Sequence, residues 1–503
     1  MKYYITTTLP YVNAKPHIGH ALEFIQADAL ARYHRLKGDE VVFNTGTDEH
    51  GVKILNKAIE EGKDPQKYCD EYAQKFDDLK KSLNLSYNKF IRTTDKGHMK
   101  AAQKFWELCD KNGDIYKKNY QTKYCVGCEL EKTDSELVDG LCPDHPNMKI
   151  ELIDEENYFF KFSNYGEKLL KLYSDNPEFV IPNHRLNEIK AFVNSGLQDF
   201  SISRLKSKMP WGVEVPGDDD HVMYVWFDAL VNYISTLGWG SDDEKEFKDF
   251  WPGFQVAGKD NLRQQTAMWQ AMLMSAGISN SKQVFIHGFV NSGGQKMSKS
   301  LGNVVDPIEI QEKYGTDALR FFILGGMNAY EDGDFTIKRF EEFYTAHLVN
   351  GVGNLTSRIL TMLVNYTDGK VPKKYTGGLK KAIEENLWNR DEFLFKKYKF
   401  QDIVLNINSG VSTMDELISN EKPWEKFKNG EDISDLLYQL AEGLRHIGLA
   451  LLPIIPESAE KILNSLGIKD TDKLNLEEEK EWGRLEPGTK VTKPESLFPR
   501  LEK

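Results

Sequence analysis

The chain lacks any apolar run long enough to cross a membrane as a helix. Its longest, Ile447 to Ile455, is interrupted by Pro453 and falls far short of the roughly 18–20 residues a spanning helix needs. The first residues, Met1-Lys2-Tyr3-Tyr4-Ile5-Thr6, offer no apolar core and no small-residue cleavage site, so no signal peptide is expected. An excess of positive charge is also missing. The 65 Lys and Arg against 77 Asp and Glu leave −12, which excludes a protein that coats nucleic acid through a basic surface but leaves room for a local basic groove. Cysteine is scarce, with five in 503 residues. An odd count, with Cys125, Cys128 and Cys142 in one segment and Cys69 and Cys109 alone, is no disulfide framework and fits a reducing cytoplasm. No internal repeat or low-complexity segment is present.

What is present is an ordinary globular balance, 40% hydrophobic and 28% charged, over a length that suggests about three domains. Residues 3 to 9, β-branched and aromatic, stop at Pro10 and read as a strand. From Ile18 to Lys37 apolar residues recur at helical spacing before Gly38. Val41-Val42-Phe43 makes a second strand, so the chain opens as a doubly wound α/β fold. The rhythm breaks near Asn112. Residues 116 to 215, with short strands and Pro/Gly turns, read as an insertion within a nucleotide-binding fold spanning 1–115 and 216–325. The fold resumes at His221 to Val225, with further strands at Phe254 to Ala257 and Val284 to Ile286. Helical periodicity over Phe340–Leu363, Leu379–Leu417 and Ile433–Leu452 predicts a separate helical domain in 326–503, ending in an irregular charged tail.

Two motifs carry phosphate chemistry. In Pro16-His17-Ile18-Gly19-His20 two imidazoles stand on the first turn of a helix, where free N–H groups and the positive dipole end also point, and Gly19 permits close approach of a nucleotide. A pair of capping histidines is the alternative. In Lys296-Met297-Ser298-Lys299-Ser300, after Ser292-Gly293-Gly294, two lysines on a glycine-flanked loop can follow polyphosphate charge into a transition state. Alone, it would be read as a solvated surface loop.

Together the motifs resemble the two signatures of class I aminoacyl-tRNA synthetases. Within that class, Leu9-Pro10-Tyr11-Val12-Asn13, Gly46-Thr47-Asp48-Glu49-His50-Gly51 and Tyr224-Val225-Trp226-Phe227-Asp228-Ala229 are similar to methionyl-tRNA synthetases, and the similarity weakens only in the tail. From the residues alone, Asp48 at a strand's carboxyl end could pair with an ammonium group or cap a helix before Gly51. Trp226, Ala229 and Tyr233, at i, i+3 and i+7, predict one helix face, either plain core or an aromatic wall for a thioether. The resemblance implies a methionine pocket of Leu9, Tyr11, Asp48, Trp226, Ala229 and Tyr233. It also implies a ribose contact at Asp260 and phosphate contacts at His17, Gly19, His20, Lys296 and Lys299, with the two histidines and two lysines catalytic. One departure stands out: the family usually has an aromatic residue and a pocket-closing histidine where Gln264 and Gln265 stand. Gln265 can still hydrogen-bond, and it is kept in the pocket.

Cys125-Val126-Gly127-Cys128 and Cys142-Pro143-Asp144-His145 supply three thiolates and an imidazole, the donor set of a closed structural zinc site; chance thiols are the alternative. Family members often carry such a knuckle in the insertion. Asn354 and Arg358, four apart, and Trp424 after Pro423 can bond to and stack on unpaired bases, or can be a solvated helix face and a buried Trp. They match the family's anticodon-reading positions. The fold expected is therefore a Rossmann-like doubly wound parallel sheet split by a zinc-knuckle insertion and followed by an α-helical anticodon-binding bundle. The expected activity joins L-methionine to tRNA(Met), for initiation and elongation, at the expense of ATP with Mg2+, and one structural Zn2+ is expected. The chain ends soon after the helical domain, without an appended dimer-forming domain, and a cytoplasmic monomer is expected. Synthetases for isoleucine, valine, leucine or cysteine, a tRNA-free nucleotidyltransferase and a noncatalytic tRNA-binding protein are the rival readings.

Overall fold

The computed structural model describes residues 1–501 apart from 128, 129, 133, 144, 298–302 and 376; at 120, 122, 130, 131, 135, 153 and 296 only the backbone is described. A six-stranded parallel sheet stands at the centre. Its strands are β1 (Lys2–Thr7), β2 (Glu40–Thr47), β3 (Lys89–Arg92), β4 (Val180–Ile181), β5 (Phe254–Gly258) and β6 (Gln283–His287), in the order β3-β2-β1-β5-β6-β4. Most positions of β1, β2 and β6 are buried. Both faces are therefore covered, which explains why Val41-Val42-Phe43 and Val284-Phe285-Ile286 are unbroken apolar runs rather than alternating ones. The chain winds through β2 and β3 on one side of β1, and β5 and β6 lie on the other. The crevice at this reversal, over the carboxyl ends of β1 and β5, is where open α/β sheets bind ligands. Helix α1 (Ile18–Leu36) connects β1 to β2, and Gly38 follows it at φ 83°, a backbone region glycine adopts freely.

The insertion is built on a four-stranded antiparallel sheet whose two central strands, Ile115–Cys125 and Ile150–Phe160, are 11 residues each, longer than the short strands expected. The expected return to the parallel sheet at His221 to Val225 does not occur. Asp218–Met223 pairs antiparallel with Ser203–Leu205 and Glu214–Val215 in a separate small sheet. Three successive aspartates, Asp218 to Asp220, need solvent that a doubly covered sheet denies them. Tyr224 then caps helix α2 (Val225–Ala229), and helix α3 (Asn232–Ser235) follows. The single helix expected to carry Trp226, Ala229 and Tyr233 is therefore two. Asn232 Nδ2 donates to the Ala229 carbonyl at 2.6 Å, taking an acceptor that a continuing helix would have used.

Helix α4 (Thr316–Gly325) and a short strand, Gly333–Asp334, lead into a largely helical region that includes α5 (Asn354–Tyr366), α6 (Phe400–Glu421) and Ser434–Leu451. The helix expected over Leu379–Leu417 breaks into Gly378–Leu387, Asp391–Lys396 and α6. At the second break Tyr398 takes φ 54°. Its hydroxyl donates to Gln283 Oε1 at 2.7 Å and its ring stacks on Phe285 with centroids 4.2 Å apart, so a long-range contact with β6 overrides local periodicity. Phe340–Leu363 is also interrupted, at the non-helical Gly351. The tail packs as an irregular segment, with Trp482, Leu485, Val491 and Phe498 buried.

One ion pair joins the sheet's helix to the helical region. Asp28 of α1 and Arg320 of α4 are fully buried, with Arg320 Nη2 2.7 Å from Asp28 Oδ2. Arg320 also donates to the carbonyls of Ile454 (2.9 Å) and Leu83 (3.1 Å). Asp28 Oδ1 accepts from the Ser86 amide (2.6 Å) and hydroxyl (2.7 Å), and Arg32 Nε lies 2.7 Å from Oδ2. Burial alone would raise the Asp28 pKa; Arg32, Arg320 and Ser86 outweigh it and hold the carboxyl at about 2. A carboxylate depressed in the folded state stabilises the fold above its unfolded pKa and stops doing so as pH falls through the folded one. Arg320→Ala should therefore cost about 3–5 kcal/mol in urea unfolding at pH 7. Asp28 should withdraw about 2–3 kcal/mol of stability as pH falls from about 4 to about 2. Equal urea midpoints for variant and parent would contradict this.

Candidate functional site

The start of α1 is a reciprocal cap. His17 is the N-cap, its Nδ1 accepting from the Gly19 amide at 3.1 Å, and His20 Nδ1 accepts from the His17 amide at 3.2 Å. The capping alternative and the ligand-facing one are thus compatible. A ring nitrogen that accepts carries no proton, so in the neutral form each imidazole holds its N–H on Nε2. The two rings stack with centroids 3.8 Å apart. Burial, with the His17 ring adding to it, pushes the His20 pKa well down, so His20 is a neutral donor. Gly19 is required here because a Cβ would stand 2.9 Å from the His17 ring. The Ile18 amide donates to the Val305 carbonyl at 3.0 Å, stitching the helix start to the chain that leaves the lysine loop. The loop begins from a hairpin in which Asn291 pairs with Lys296 and the Gly294 amide donates to Asp334 Oδ1 at 2.8 Å. Lys299 lies outside the described residues, as does the side chain of Lys296.

Across the crevice, Tyr11 and Asp48 form an isolated parallel bridge that prolongs the β1–β2 pairing, with Asp48 buried. Helix Val52–Glu60 is capped by Gly51 with no side-chain bond, so Asp48 is not its cap. The half-buried Tyr11 and Trp226 pack against one small cluster, Tyr124, Tyr224 and Val225, and Leu9 is half-buried near the same strand end. Ala229 and Tyr233 are buried. Burial raises the Tyr233 pKa, with the Glu23 and Asp48 carboxylates close enough to add to it and Gln265 working against it. Gln265 Nε2 donates to the Tyr233 hydroxyl at 2.6 Å. Of the residues expected around a methionine, the structure brings Tyr11 and Trp226 into one cluster and Asp48 and Gln265 to Tyr233, although Trp226 and Tyr233 come from separate helices. Asp260 lies in the 3-10 turn Lys259–Asn261 that follows β5. A Cβ on Gly258 would stand 2.7 Å from its Oδ1.

Sequence reasoning missed two buried charge clusters here. Asp228, between the wall residues Trp226 and Ala229, lies 2.6 Å from His50 Nδ1 and 2.8 Å from His98 Nε2. Burial opposes its charge, but the two histidines hold its carboxyl at about 2. It ties α2 to the loop that carries Asp48. Glu23 of α1 accepts from the Thr8 amide and hydroxyl, both at 2.6 Å, and lies 3.0 Å from His287 Nε2 at the end of β6. Burial would lower the His287 pKa; Glu23 and the Gly288 carbonyl reverse the sign and raise it. Position offered a signal for both: His50 and Asp228 fall inside the motif stretches, and Glu23 is one turn beyond His20.

In the insertion, one ligand atom each from Cys125, Cys142 and His145 lies within 4.8 Å of the others. Both cysteines are buried, and a Cβ on Gly127 would stand 2.3 Å from the His145 ring, so the turn is shaped around that imidazole. Sulfur and nitrogen donors at this separation fit a metal ion such as zinc. Cys128, the fourth expected ligand, lies outside the described residues. Lys53 Nζ donates to the Gly127 carbonyl at 2.6 Å and lies 5.2 Å from the Tyr11 ring centre, so the knuckle reaches the crevice. In the helical region Asn354 is exposed at the start of α5. Arg358 Nη1 pairs with Asp415 Oδ1 of α6 at 2.5 Å. Trp424, just past α6, is 44% exposed, not a core indole. No helix among the described residues is long and apolar enough to cross a membrane.

Comparison with known proteins agrees with this geometry. Residues 3–151 and 146–360 match the family model described as tRNA synthetases class I (M), and 408–503 match the anticodon binding domain of methionyl tRNA ligase. A methionine–tRNA ligase of Caldanaerobacter subterraneus is 41% identical over 99% of this chain and 79% of that protein. One from Thermosynechococcus vestitus is 39% identical over 99% and 97%. A structure of Mycobacterium tuberculosis methionyl-tRNA synthetase in complex with methionyl-adenylate superposes with TM-score 0.93 at 37% identity, covering 99% of this chain and all of that one. The chain belongs to the methionyl-tRNA synthetases, a family of the class I aminoacyl-tRNA synthetases.

Proposed function

We infer that the chain is a methionine–tRNA ligase. The observation that carries this is its likeness, along 99% of its length, to a methionyl-tRNA synthetase solved with methionyl-adenylate. In the first step a methionine carboxylate oxygen attacks the α-phosphorus of ATP and the bond to the bridging oxygen breaks, giving methionyl-adenylate and pyrophosphate. In the second, a terminal ribose hydroxyl of tRNA(Met) attacks the adenylate carbonyl and AMP leaves. Mg2+ enters with ATP, and its charge offsets that of the phosphates.

The Nε2–H donors of His17 and His20, at the positive dipole end of α1, suit phosphate oxygens, and Gly19 leaves room for the nucleotide. Lys296 and Lys299 are assigned to the same charge, with Lys299 engaging selectively in the transition state. Asp48 is assigned to the methionine ammonium group and Asp260 to the ribose. Leu9, Tyr11, Trp226, Ala229, Tyr233 and Gln265 are assigned to the side-chain pocket. Asn354, Arg358 and Trp424 are assigned to anticodon bases: an exposed indole and a guanidinium paired at a surface are suited to stacking and bonding. Cys125, Cys128, Cys142 and His145 would hold one Zn2+. Four protein ligands leave no position for substrate, so the ion would supply folding energy to the insertion rather than Lewis acidity.

ATP–pyrophosphate exchange without tRNA should respond to methionine and not to cysteine, leucine, isoleucine or valine; exchange with one of those instead would overturn the specificity. Lys299→Ala should slow adenylate formation by about 100-fold or more and leave methionine affinity within about twofold; an unchanged rate would remove its role. Purified protein should contain one zinc per chain by atomic emission. Stripping the metal should open residues 126–146 to limited proteolysis while the central sheet stays resistant, and a knuckle equally resistant without metal would contradict the assignment.

A further inference from the structure

Behind Tyr233 runs a chain of buried side-chain amides in which every hydrogen bond has a fixed direction. It begins at two backbone groups that each play a single role. The Ser281 amide, which can only donate, reaches Gln270 Oε1 at 3.1 Å. The Gln265 carbonyl, which can only accept, receives from Gln270 Nε2 at 2.8 Å. Both ends of the Gln270 amide are thereby set. Its Nε2 also faces Ser281 Oγ at 3.1 Å, so the one proton of that hydroxyl goes on to Gln255 Oε1 at 2.6 Å. Gln255 then presents Nε2 to Gln265 Oε1 at 3.0 Å, and Gln265 presents Nε2 to the Tyr233 hydroxyl oxygen at 2.6 Å. Gln255, Gln265, Gln270, Ser281 and Tyr233 are all at most 5% exposed, so water cannot substitute for a member that turns over.

The consequence falls on Tyr233. Its oxygen accepts from Gln265, so its own proton is not spent on that amide. A reversed Gln265 would present a carbonyl oxygen and take that proton. We propose that Gln255 is a positioning residue for methionine recognition: it holds Gln265 in the one orientation that keeps the Tyr233 hydroxyl a donor toward the bound amino-acid side chain. The proposal rests on the assignment of Tyr233 to the methionine pocket. A donor at that place favours a side chain that carries an acceptor, the thioether sulfur, over an isosteric hydrocarbon. Because no member of the relay ionises near neutral pH, the preference is built without a titrating group.

The test is pyrophosphate exchange with methionine and with 2-aminohexanoic acid, in which a methylene replaces the sulfur. Gln255→Met, which keeps volume and removes both bonds, should raise the KM for methionine about tenfold. The KM for 2-aminohexanoic acid and kcat for both should move less than about twofold. Tyr233→Phe should lose the same preference, and adding Gln255→Met to it should change the preference no further, a non-additivity that general loosening of the core would not produce. Should Gln255→Met fail to fold by circular dichroism, Ser281→Ala, which frees Gln255 to turn over, is expected to lower the preference in the same direction. A folded Gln255→Met or Ser281→Ala enzyme with the parental preference would overturn the relay. Parental preference in Tyr233→Phe would overturn the pocket assignment beneath it.

Discussion

The buried pair between Asp28 and Arg320 is the constraint on which the arrangement depends. Asp28 sits in the middle of α1, and α1 carries the histidine pair at its start. By binding Arg320, Arg32 and Ser86 together, Asp28 fixes that helix against the segment before β3 and, through Arg320, against the Ile454 carbonyl just past helix Ser434–Leu451. Isolated, either charge would be intolerable at this depth. Paired, they make the position of α1, and hence of the His17–His20 cap at its start, a property of both halves of the molecule.

The other wall of the crevice is held by a different route. Asp228 anchors α2 to His50 and His98, and Lys53 links the metal-ligand turn at Gly127 to Tyr11. Tyr124 precedes Cys125 on the same strand and packs in one cluster with Tyr224 and Val225. The insertion is thus continuous with the Tyr11 and Trp226 wall of the crevice. Folding energy from a metal there would stiffen the wall without the ion meeting a substrate.

Much of the fold was legible because local and global preferences agree. Val41-Val42-Phe43 and Val284-Phe285-Ile286 read as buried strands and are strands, and the periodicity of Ile18 to Leu36 matches the helix formed. Sequence failed where a long-range contact decided. Tyr398 leaves helical geometry to reach Gln283, Asn232 takes a helix carbonyl for its own side chain, and three aspartates keep Asp218–Met223 out of the central sheet. For the site, the motifs located residues but not their partners. Nothing in the spacing of Asp228, His50 and His98 announces that they meet, because their contacts cross 130 to 178 residues of chain. At the Gln264-Gln265 departure, the sequence shows that Gln265 can hydrogen-bond but not to which partner. The structure places Gln265 in a directed bond to Tyr233, supported from β5 by Gln255.

The central claim is that one crevice, with imidazole donors at one end and the Asp48–Tyr233 pocket at the other, makes an aminoacyl-adenylate and holds it. The most direct measurement mixes the protein with methionine, Mg2+ and ATP labelled at the α-phosphate, without tRNA and with pyrophosphatase present, and passes it through a desalting column. The account predicts about one methionyl-adenylate retained per chain, released as AMP when tRNA(Met) is added. Label that elutes only as free ATP, or an adenylate formed equally well with isoleucine, would contradict it.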